Sequence, residues 1–205
     1  MQAIINKIRQ TFESEKVVSI LFCGNQSRGD IGLFVVIEAD ITLARILIRN
    51  MDITLAGFRH LDFLISVRDP LITEPLLTGM HIFGKSLEKE KNELLNSDLS
   101  AETFYHYLYL AETTLMVAEE LYDAKRYEEA LLDTVSTLRY LRFLEHYQAG
   151  GALITLSEMI ERNPGSLLSQ AYHYFSSRDE IKPEKVMLYL LVAKQLEKKH
   201  KEAIS

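Results

Sequence analysis

Apolar residues crowd into two short runs early in the chain, Val17 to Cys23 and Ile31 to Ile37, separated by a polar loop that opens with Gly24-Asn25. Runs of this length, rich in β-branched and aromatic side chains and bounded by turn residues, read as neighbouring strands of one buried sheet. Ahead of them Ile4, Ile5, Ile8 and Phe12 recur at helical spacing, which predicts an amphipathic opening helix covering one sheet face. Behind them, Ala39 to Met51 sets Leu43, Ile46 and Leu47 on one stripe and predicts a second helix, with Asp40 as its N-cap. Gly57 breaks that pattern. Leu61 to Val67 then reads as a third strand, with Asp62 near its start. Asp69-Pro70 and Glu74-Pro75 mark turns or a helix entry, so a short helix over 74–78 and a last strand over 80–83 close the region.

From Ser100 the period is helical throughout. Phe104, Leu108, Ala111, Leu115, Ala118 and Tyr122 fall at steps of three and four behind a Ser100 cap. Arg126 to Gln148 repeats the pattern, Gly150-Gly151 interrupts it, and Ala152 to Arg162 makes a third helix stopped by Asn163-Pro164-Gly165. A fourth spans Ser166 to Ser177, and Pro183 starts the last. Long helices with short links predict a bundle. The fold class expected is α+β, a sheet with flanking helices over 1–86 followed by an all-α helical bundle over 87–205, with the charged 87–96 stretch as hinge.

Charge is divided unequally. Residues 1–86 hold nine Lys or Arg and nine Asp or Glu, so the net charge of −6 lies wholly in the helical half, with 14 basic and 20 acidic residues. That excess argues against duplex DNA as a partner, because such binding rests on neutralising phosphates with basic side chains. No apolar stretch reaches the roughly 18 residues needed to span a bilayer, and the N-terminus lacks an apolar signal core, so a cytoplasmic location without membrane association is expected. The single cysteine, Cys23, forms no internal disulfide and is expected as a packed thiol.

An apolar strand ending in Gly24-Asn25, a loop, Asp30-Ile31-Gly32 leading into a second apolar strand, and a later acid at Asp62 resembles the nucleotidyltransferase superfamily, of the minimal and kanamycin nucleotidyltransferase kind. Leu77 to Phe83 is similar to that family's closing segment. The resemblance covers roughly residues 1 to 86 and implies a mixed sheet. It implies that Asp30 and Asp62 hold Mg²⁺, while Gly24, Asn25 and Arg28 contact the triphosphate of an NTP. The sequence departs from the pattern at two places: Asn25 stands for a serine and Gly32 for the second aspartate. The expected function is therefore that of a superfamily member with a reduced active site, nucleotide-binding or regulatory, with weak or absent nucleotidyl transfer. An active enzyme moving NMP from NTP to a small-molecule, RNA or protein hydroxyl is the alternative. A protein partner or a homo-oligomer fits the regulatory form.

The helical half resembles the HEPN domain in its architectural order. Arg139 and His146 lie seven apart on one helix, and the resemblance implies that such a pair could act on RNA, with His as general acid or base and Arg on the phosphate. The plain alternative is packing, with Arg139 paired to an acid of a neighbouring helix. The clusters Phe104 to Tyr109 and Tyr172 to Phe175 point rings around a helix, so some face a surface other than the core. The histidines show no zinc spacing, and Gly84-Lys85-Ser86 lacks the upstream glycine of a phosphate loop.

Overall fold

The apolar stripe of the N-terminus folds as expected: α1 (Gln2–Thr11) buries Ile5 and Ile8 against the sheet. The computed structural model describes residues 2–12, 16–25, 31–48, 51–177 and 180–204. They form two compact units, Met1–Asp98 and Leu99–Ser205.

In the first unit the two apolar runs become β1 (Lys16–Asn25) and β2 (Ile31–Glu38), paired antiparallel. A hairpin follows, β3 (Leu43–Ile48) and β4 (Met51–Gly57), and after two helices comes β5 (Met80–Gly84). The strand order is β3-β4-β2-β1-β5. β4 runs parallel to β2, whereas β1–β2, β1–β5 and β3–β4 are antiparallel. This is a mixed five-stranded sheet. Leu33, Val35 and Ile37 of β2 join Ile53 and Leu55 of β4 beneath α1, each worth about 1.5–3 kcal/mol when fully buried. Phe34, Val36 and Ala56 alternate onto the opposite, equally buried face.

The structure corrects two readings here. The helix expected over 39–51 is instead β3 and the start of β4. A six-residue Leu-Ala-Arg-Ile-Leu-Ile run fits either period, and pairing with β4 decides it. Asp40 caps nothing; its Oδ1 lies 3.3 Å from His60 Nε2. The strand expected over 61–67 is α2 (Leu61–Ser66), entered through a single 3-10 turn at Phe58–His60. Its burial follows i, i+3, i+4, with Leu61, Leu64 and Ile65 inside and Asp62, Phe63 and Ser66 exposed. Gly57 ends β4 where a Cβ would fall 2.0 Å from the Ile41 carbonyl oxygen.

α3 runs over Pro70–Thr78, four residues longer at its start than expected, because Asp69 Oδ1 accepts from Leu71 N at 2.9 Å and Pro70 takes the first position. α4 (Glu88–Asn96) belongs to this unit rather than to the bundle. Lys91 Nζ donates to Leu77 O at 3.3 Å, Lys85 pairs with the buried Glu90 at 3.0 Å, and the Arg68 guanidinium donates to Ser97 O. These ties move the boundary from 86 to 98.

The second unit is helical: α5 (Ala101–Asp123), α6 (Tyr127–Gln148), α7 (Leu156–Arg162), α8 (Leu167–Ser176) and α9 (Pro183–Ile204). α5 and α6 form an antiparallel pair closed by α9, with α8 against α6. The core stripe of α5 is Tyr107, Ala111, Leu115 and Ala118; Phe104 and Leu108 pack at its margin. Tyr107 is fully buried, edge-on to Tyr140 and Tyr147. α7 begins at Leu156, not at 152, because Thr155 and Glu158 form a capping box. Among the described residues no helix is long and apolar enough to cross a membrane.

Candidate functional site

Because β2 and β4 are parallel, both begin at the end of the sheet where β1 stops. Side chains alternate between faces, so the register pairing of Gly32 with Asp52 sets both on the face of Phe34 and Val36, away from α1. On the other side of β2, the β1 register slips between Phe22 and Asn25, so Cys23 and Gly24 together oppose the Gly32 position. Gly24 takes φ +80 in this irregularity, and no described residue comes within 4 Å of a Cβ placed there. Three strands thus bring Asp52, Gly32 and Cys23 side by side, with no side chain at the middle position.

Asp52 is buried and held. Arg45 of β3 donates from Nε to Oδ1 at 2.8 Å and from Nη2 to Oδ2 at 2.5 Å, a fork that occupies both carboxylate oxygens. The pairing follows from register: Leu47 opposes Asp52 and Arg45 opposes Thr54, so Arg45 is the diagonal neighbour on the same face. Beside this pair the Cys23 thiol is pushed up to about 12. Burial is the main cause, the carboxylates of Glu74 and Asp52 add to it, and a hydrogen bond with the Phe34 backbone opposes it. Cys23 is a protonated, half-buried thiol.

The residues singled out in the sequence fare differently. Gly24 and Asn25 close β1 at this end of the sheet, with Asn25 paired to Ile31. Asp30 and Arg28 lie outside the described residues. Asp62 is not on a strand; it is exposed in the first turn of α2. The chain reaches it by leaving β4 at Gly57, paired with Ile37, the end opposite Asp52 and roughly 17 Å along the strand at about 3.3 Å per residue. The carboxylate that a strand delivers beside β2 is Asp52. Its signal was present: an acid opening a β-branched run, Met51-Asp52-Ile53-Thr54, directly after the polar pair Arg49-Asn50. Assigning 39–51 to a helix hid it.

Among the described residues, the donors at this end of the sheet do not suit a divalent cation. Mg²⁺ takes several hard oxygen ligands in near-octahedral geometry, whereas Asp52 is already engaged by Arg45, Gly32 supplies nothing and Cys23 is a neutral thiol. Among the described residues no group of three or more His, Cys, Asp or Glu is placed to hold a metal.

In the helical unit, Arg139 and His146 are separated by about 10 Å of helix at 1.5 Å per residue. The Arg139 guanidinium lies 5.6 Å from the centroid of Phe143. The His146 ring sits against Gly151, where a Cβ would come within 2.4 Å, and its Nε2 is 2.8 Å from Ala152 O. Arg139 thus lies over a ring of its own helix, and His146 packs the exit of α6.

No family model matches the sequence, and no curated protein does. Among solved structures the chain is similar to a nucleotidyltransferase-like protein from Exiguobacterium sibiricum 255-15, at 14% identity and a TM-score of 0.44, over 95% of this chain and 73% of that one. That likeness assigns no residue of this chain a role.

Proposed function

We propose that residues 1–98 form a nucleotidyltransferase-like module with a reduced transfer centre, which binds nucleotide in a regulatory capacity and transfers nucleotidyl groups weakly or not at all. The observation that carries this reading is the register pair Gly32–Asp52: the strand position beside the delivered carboxylate bears no side chain, and that carboxylate is neutralised by Arg45. Transfer by two cations requires carboxylates that bridge them. Freeing Asp52 for this role forfeits its charge-assisted fork with the partly exposed Arg45, about 1–2 kcal/mol.

Binding needs less. Backbone N–H groups near a positive-φ glycine can cradle a phosphate, and Gly24 at the strand end offers that conformation with no described side chain beside it.

The test is incubation with α-labelled triphosphate, Mg²⁺ and small-molecule, RNA and protein acceptors. The reading expects no labelled product from the native chain. Efficient labelling, abolished in Asp52→Asn, would establish an active transferase instead. Cleavage of RNA lost in His146→Ala would favour the HEPN-type ribonuclease, whose weaker footing is that His146 is already bonded to Ala152 O.

A further inference from the structure

The helical unit holds a half-open cavity of about 310 Å³ among the end of α6, α7 and the start of α8. This lies at the lower end of the roughly 300–1,000 Å³ typical of small-molecule pockets. Its lining is segregated by chemistry. Ile154, Met159 and Leu168 are buried and form an apolar floor. Arg142 of α6 and Arg162 at the last turn of α7 line the same space and carry its positive charge.

The single acid in the lining, Glu145, offsets one of the two guanidinium charges and leaves the lining net positive by one. Arg142 Nη1 pairs with its Oε2, and the buried His200 places Nε2 3.4 Å from its Oε1. His146 lines the cavity with its ring fixed between Gly151 and the Ala152 carbonyl. Ser166, the N-cap of α8, brings that helix's positive end to the same wall.

We propose that this cavity binds a small organic anion, its phosphate or carboxylate head against Arg142 and Arg162 and its apolar body over Ile154, Met159 and Leu168. Two guanidinium groups against one carboxylate leave a net positive charge that disfavours a cation. A neutral apolar ligand leaves them unused, and the volume is too small for a run of nucleotides. The fork of an arginine matches the planar or tetrahedral oxygens of either head group.

Calorimetric titration of the full chain with phenyl phosphate, benzoate and inorganic phosphate tests it. Saturable binding of phenyl phosphate or benzoate, one per chain and about tenfold or more tighter than inorganic phosphate, is expected; the stronger of the two identifies the head group. Arg162→Ala, on an exposed side chain, is expected to weaken that binding by about tenfold or more. Met159→Trp is expected to abolish it by filling the floor while both arginines remain. Unchanged affinity in Arg162→Ala overturns the proposal. So does inorganic phosphate binding as well as phenyl phosphate, an adventitious ion only, or saturable binding of a short single-stranded RNA with none of either probe.

Discussion

Gly32 and Asp52 are register partners on adjoining parallel strands, so the carboxylate that β4 brings to the end of the sheet stands beside a position without a side chain. Asp52 is turned instead toward Arg45 on the other flank. Restoring an acid at position 32 is therefore a direct perturbation. Gly32→Asp sets a second carboxylate in a buried position next to Asp52, and the like charges raise the pKa of the pair. A loss of about 1–3 kcal/mol in urea unfolding at pH 7 is expected. Because the raised group is neutral in the folded state at low pH, the deficit shrinks as pH falls toward 5. Millimolar Mg²⁺ is expected to recover stability in this variant and to leave the native chain unchanged.

The Arg45–Asp52 fork should act as a unit. Arg45→Met leaves a buried carboxylate uncompensated and is expected to cost about 1–2 kcal/mol, at the low end for a buried pair because the Arg45 side chain is 38% exposed. Arg45→Met with Asp52→Asn is expected to recover most of that loss. A double-mutant cycle in chemical denaturation measures the coupling.

Cys23 gives a pH signature. Its folded-state pKa is raised to about 12, while the unfolded thiol ionises near 9. Above pH 9 the unfolded chain releases this proton and the folded chain keeps it, so the contribution is complete below pH 9 and is lost as pH rises toward 12. The native chain is expected to lose about 1.4 kcal/mol per pH unit in this window relative to Cys23→Ala. Disulfide reagents at pH 8 are expected to react with Cys23 more slowly in the folded chain than in the unfolded one, because little thiolate is present.

Asp62 should be silent. It is exposed on α2, so Asp62→Asn is expected to change stability by less than about 0.5 kcal/mol and to leave nucleotide affinity unaltered. A tenfold loss of affinity would return Asp62 to the site.

The contrast between Asp62 and Asp52 shows where the sequence was legible. β1, β2 and β5 announced themselves because their apolar runs are bounded by glycine or charge, and the bundle because stripes such as Ala111, Leu115 and Ala118 persist over many turns. The segments 39–51 and 61–67 are short and apolar, and such runs satisfy strand and helix periods alike. Pairing with β4 decided the first, and burial of Leu61, Leu64 and Ile65 on one helical face decided the second. The candidate site moved with them, since an acid's place on a sheet depends on which run is the strand. The Arg45–Asp52 fork was out of reach for the same reason: it is a diagonal contact in a hairpin that had been read as a helix.

Titration of the native chain with ATP, with and without Mg²⁺, tests the central claim most directly. A reduced centre predicts saturable binding of ATP whose affinity changes by less than about threefold when Mg²⁺ is added. Absence of binding, or an affinity that rises by about tenfold or more with the metal (about 1.4 kcal/mol), would contradict it.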